Sequence, residues 1–91
     1  MITSDIRVEK ESLIEKSYKR GLKALNEFSD TALSVNERDL AFARYFQARS
    51  ELINYQKAYA SVSDDLSDYC CTLGLDLGDQ MEVLLDKELA A

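Results

Sequence analysis

The most conspicuous reactive groups in the chain are two adjacent thiols, Cys70 and Cys71. Such a pair has the chemistry to bind a soft metal or to register oxidation. No Lys, Arg or His stands beside them to lower a thiol pKa, and both lie within two or three positions of Tyr69 and Leu73. They therefore read as small hydrophobes on a helix. Adjacent cysteines cannot staple distant segments of one chain, so a disulfide framework is excluded and a reducing compartment is expected.

Histidine is absent, which removes the commonest general base and the commonest zinc ligand. Carboxylate-bridged metal sites in helical bundles need Glu-x-x-His motifs, which this chain cannot supply. Gly-x-x-x-x-Gly-Lys, Gly-x-Gly-x-x-Gly and Gly-x-Ser-x-Gly are also missing. No catalytic residue, cofactor-binding residue or metal ligand is assigned. The expectation is a protein that is not an enzyme and has no cofactor or small-molecule substrate.

What remains are side chains suited to contact. Five tyrosines accompany no tryptophan. Tyrosine buries its ring while its hydroxyl reaches water or a partner, and it is enriched at protein interfaces. Lys16, Lys19, Arg20 and Lys23 form one basic group, and Arg38, Arg44, Arg49 and Lys57 another. These read as solubilising charges paired with acidic neighbours such as Glu15, Glu27 and Glu51. They also fit head-to-tail pairing with the acidic end of another copy.

The net charge of −6 is unevenly placed: residues 1–60 sum to +1, and residues 61–91, with eight acids and one lysine, sum to −7. That end repels phosphate backbones, which argues against direct nucleic-acid binding. It reads as a solvated acidic face, or as a docking surface for a basic partner.

The elements that position these groups are helical. There is no proline, glycine occurs only at positions 21, 74 and 78, and good helix formers abound. The fold class expected is all-α: an antiparallel, coiled-coil-like helical hairpin with a short third helix, in a single domain spanning residues 1–91. Hydrophobic residues at 46% are too many for a disordered chain, and charged residues at 31% are too many for membrane insertion. The first residues lack the apolar stretch of a signal peptide, so a cytoplasmic location is expected.

A seam in alternating four- and three-residue steps runs through Ala41, Tyr45, Ala48, Leu52, Tyr55, Tyr59, Val62, Leu66, Tyr69 and Leu73. It predicts one helix over about 35–73, passing through Ser61-Val62-Ser63-Asp64-Asp65 and capped at Gly74. An earlier seam, Ile14, Tyr18, Gly21, Leu25, Phe28, Ala32 and Val35, predicts a helix over about 5–33. The two are out of phase between Val35 and Ala41, and Ser34-Val35-Asn36-Glu37 has capping-box form, so a helix start falls near Ser34. Met81, Val83, Leu84, Leu85 and Leu89 suggest a last helix over about 79–90.

Tyr18-Lys19-Arg20-Gly21-Leu22, followed by Asp30 and by Ala43-Arg44-Tyr45-Phe46-Gln47-Ala48-Arg49, resembles the helical hairpin of the outer-membrane efflux protein (TolC) family over about residues 15–60. The resemblance implies that Tyr18 and Gly21 mark a hairpin tip that meets a periplasmic adaptor. It would put the turn near Gly21, whereas capping and phase put it near Ser34, and both stay open here. A glycine inside a helix would instead mark close helix–helix approach.

A second helix of nearly 40 residues would outrun a first of about 28. Its overhanging seam, Tyr59, Val62, Leu66, Tyr69 and Leu73, is the expected partner-binding surface. The leading expectation is a small helical adaptor, chaperone or inhibitor that binds a protein partner or forms a homo-oligomer. The alternatives are an acidic mimic of nucleic acid that inhibits a nucleic-acid-binding protein, a self-assembling structural protein, and a TolC-like hairpin segment contacting an adaptor.

Overall fold

A computed structural model describes the backbone of residues 2–90 and the side-chain surroundings of residues 13–89. The order of elements is α1 (Ile2–Ser29), α2 (Val35–Tyr59) and α3 (Asp64–Ala90). α1 packs against both other helices, and α2 packs against α3. Tyr18 meets Asp76, Gly21 meets Leu77, and Glu27 of α1 meets Arg44 of α2, so α1 and α3 run parallel with α2 antiparallel to both. The three helices form an elongated body of 51 × 19 × 14 Å.

The first reversal is built by local side-chain chemistry. Asp30 Oδ1 accepts from the Ala32 amide at 2.9 Å, an Asx turn that ends α1. Ser34, with extended backbone, accepts from the Glu37 amide at 3.2 Å and caps α2. The turn therefore lies at residues 30–34, at the Ser34 position, and Tyr18 and Gly21 lie inside α1.

The expected helix over 35–73 is not one rod. α2 stops at Tyr59, and the amides of Val62 and Ser63 fold back onto the Tyr59 carbonyl at 2.9 and 2.8 Å. Ser63 then caps a new helix: its Oγ accepts from the Leu66 amide at 3.3 Å, with Asp64 and Asp65 in the favourable first turn. Ser67 Oγ donates to the Gln56 carbonyl at 3.1 Å and ties α3 to α2 across the turn. Local polar chemistry overrides the periodicity, because Val62 occupies a seam position by spacing alone and is 69% exposed.

Gly74 is not a carboxy-terminal cap, and the last helix is not confined to 79–90. α3 runs for 27 residues straight through Gly74 and Gly78, neither with a left-handed backbone. α3 lies back along the hairpin, and the overhang disappears with it.

The core follows one stripe from each helix: Ile14, Ala24, Leu25 and Phe28; Ala41, Tyr45 and Leu52; Leu66, Cys70, Leu77 and Met81. Burial of these stripes supplies most of the drive to fold, at about 25 cal/mol per Å² of apolar surface. On α3 the buried stripe passes through Cys70 rather than Tyr69, one position from the expected seam. Among the described residues the buried polar side chain is Ser17, whose hydroxyl donates to Glu51 Oε2 at 2.7 Å and accepts from Arg20 Nη2 at 3.1 Å.

Candidate functional site

The residues expected to bind a partner do not form one exposed surface. Leu66 is 5% exposed, and Tyr59, Tyr69 and Leu73 are half-buried against the core. Val62 alone stands free of the core, in the turn. The physical reason is the break at residues 60–63: once α3 folds back, its inner stripe covers the surface that a continuous rod would have left open.

The thiols are placed by the same packing. Cys70 is buried and Cys71 half-buried, and they are not bonded to each other. Burial raises the Cys70 pKa above its ordinary value, which keeps the thiol protonated and unreactive.

A different surface stays open. On α2, Phe42, Phe46, Arg49 and Ile53 repeat the four-three-four spacing of the core stripe one position further along the chain. They therefore form a second stripe on the neighbouring face. On α3, Leu75, Glu82, Leu85 and Leu89 share a face in the same way. Phe46 is 59% exposed and Leu75 57%, with Phe42, Ile53, Leu85 and Leu89 exposed as well.

The two stripes border one groove of about 350 Å³ between α2 and α3, walled by Phe42, Phe46, Leu75 and Leu85, with Tyr45, Gly78 and Met81 at its base. Single exposed hydrophobics are ordinary, whereas here several converge on one groove.

Arg49 organises the groove floor. Its Nε donates to the Gly74 carbonyl at 3.4 Å, and a Cβ added at Gly78 would lie 3.3 Å from its guanidinium. Gly78 thus provides room for the arginine to lie flat across α3. Burial raises the Tyr45 phenol pKa, and the nearby Arg49 cation partly opposes that shift.

Asp79 and Glu82 line the α3 side of the groove. Among the described residues neither makes an ion pair, and nor does Asp86 one turn on. Near the carboxy-terminal end of α3, Arg38 donates to the Phe28 carbonyl at 2.8 Å, lies 5.0 Å from the Phe28 ring centroid and pairs with Glu88. One side chain thereby joins the ends of all three helices.

A second depression, between α1 and α2, has an alanine floor at Ala24 and Ala48. Four of the charges on its rim pair with each other, Arg20 with Glu51 at 2.7 Å and Arg44 with Glu27 at 3.2 Å. The basic group singled out on α2 is accordingly divided: Arg38, Arg44 and Arg49 each have a distinct partner on another helix.

The α2 half of the groove was open to sequence reading as a second apolar stripe beside the core stripe. The α3 half was hidden, because the Gly74-to-Gly78 segment reads as a connection. Among the described residues, no helix is long and apolar enough to cross a membrane. No family model, no curated protein and no solved structure matches the chain.

Proposed function

We propose that the chain is a non-enzymatic interaction module that receives a helix of another protein in the groove between α2 and α3. The observation that carries this reading is the convergence of Phe42, Phe46, Leu75 and Leu85, all exposed, on one groove. Each wall presents apolar side chains at helical spacing, which suits the insertion of an amphipathic helix with anchors three and four residues apart. Three helices already packed lengthwise leave such a helix a fourth position alongside α2 and α3. Large aromatic and aliphatic anchors of this kind carry most of the energy in interfaces built this way.

A photo-crosslinking amino acid placed at Phe46 in the cell of origin tests the reading, with Lys19 on the outer face of α1 as the comparison position. A discrete adduct formed from position 46 and absent from position 19 is the expected result. Equal labelling from both positions, or none from position 46, contradicts it.

A further inference from the structure

We infer that the occupant of the α2–α3 groove is a basic amphipathic helix of a different protein, an inference that rests on the groove being a binding site. Charge complementarity over an apolar floor selects this occupant. Asp79 and Glu82 stand at the α3 rim with Asp86 beyond them, and none of the three is in an ion pair among the described residues. The one cation at the groove, Arg49, is turned down onto Gly74 and Gly78. An incoming helix therefore meets uncompensated negative charge along one wall and apolar side chains within. Lysines or arginines flanking a row of leucine-like anchors match both features, and a helix with an acidic flank is repelled.

The length of the groove sets the length of the helix. Phe42 to Arg49 on α2 spans about 10 Å, and Leu75 to Leu85 on α3 about 15 Å, at the rise of an α-helix, so up to about three turns of partner are engaged. A second copy of this chain fits less well. The outer face of α1 supplies Lys16, Lys19 and Lys23, but Leu13 is its sole exposed large hydrophobic among the described residues, so it brings the charge without the anchors. Pairing groove on groove sets the acidic rims of two α3 helices into one interface.

The test uses the whole chain and three synthetic three-turn peptides. The first is a Leu/Lys helix with leucines three and four residues apart, the second its scrambled isomer of equal charge, and the third its Leu/Glu counterpart. Each carries one tryptophan, whose fluorescence is read against a chain that has none. The Leu/Lys helix is expected to bind at least about tenfold more tightly than either comparison peptide, with affinity falling as salt rises. Phe46→Ser and Leu75→Ser, both on exposed side chains and both checked for unchanged helicity, are each expected to weaken it by about fivefold or more.

If the Leu/Glu peptide binds equally well and still depends on Phe46, the basic partner is wrong and the groove reading stands. If binding of every peptide is indifferent to both substitutions, both fall. A stable dimer by light scattering that Phe46→Ser dissolves makes the occupant a second copy and overturns the inference.

Discussion

Leu77 of α3 sits directly over Gly21 of α1: a Cβ added at Gly21 would lie 2.6 Å from Leu77 Cδ1. Leu77 is fully buried, so its branched end cannot swing into solvent to make room. This contact fixes the separation of the two parallel helices, and it explains a glycine in the middle of a helix, where it costs about 1 kcal/mol relative to alanine.

Gly21→Ala gains that propensity but meets an overpacking penalty of about 1–3 kcal/mol, so a net loss of stability of about 1 kcal/mol is expected. Leu77→Ala alone, by opening a cavity, costs about 2–5 kcal/mol. The pair together should cost clearly less than the sum, since the new methyl occupies part of the vacated space. Urea unfolding of the four chains in a double-mutant cycle measures this, and strict additivity would place the two residues out of contact.

The break at residues 60–63 is separately testable. If α2 and α3 were one helix, spin labels at Gln47 and Asp79 would be about 50 Å apart at helical rise. With α3 folded back, the labelled helices are neighbours at an interaxial distance of about 8–10 Å, and the measured distance should fall below half the rod value. Ser63→Ala, which removes the cap of α3, should cost about 1 kcal/mol without merging the helices.

The two cysteines should react in sequence. Cys71 is half-buried whereas Cys70 is buried, and burial raises the Cys70 pKa. In native conditions an aromatic disulfide reagent should therefore label Cys71→Ala far more slowly than Cys70→Ala. In denaturant the two rates should converge. Equal native rates would mean that α3 is rotated away from the orientation that buries Cys70.

Stability should decline above pH 10. The phenol of Tyr18 is raised above its ordinary value of 10.0, first by its hydrogen bond to Asp76 and then by burial, and burial also raises Tyr45 and Tyr59. Below pH 10 folded and unfolded chains both hold these protons, so the contribution is fully present. Above it the unfolded chain releases them first, and stability is lost as pH rises through the folded values. Tyr18→Phe should start lower at neutral pH by about 1 kcal/mol and lose less between pH 9 and 11, as read from thermal midpoints.

The hairpin was legible in the sequence because its chemistry is local: Ser34 and Glu37 are three residues apart, and the phase break between Val35 and Ala41 adjoins them. The second turn was equally local, in Ser63-Asp64-Asp65-Leu66, but Tyr59, Val62 and Leu66 happen to keep the four-three register across it. Register within each helix says nothing about continuity between them. Gly74 and Gly78 misled for a related reason. Their cost in a helix suggests an ending, whereas here Gly78 makes room for Arg49, whose Nε donates to the Gly74 carbonyl 25 positions away in the chain. The groove depends on that return of α3, so its α3 wall could not be assembled before the fold was known.

Amide chemical-shift mapping of the labelled chain with the Leu/Lys helix reports whether the α2–α3 groove is the binding surface. The largest shifts are expected at Phe42, Phe46, Arg49, Leu75, Gly78, Glu82 and Leu85, with the outer face of α1 silent. Shifts centred on Glu9, Glu11 and Glu15 of α1, or spread evenly over the acids of α3 without involving Phe42 and Phe46, would contradict it.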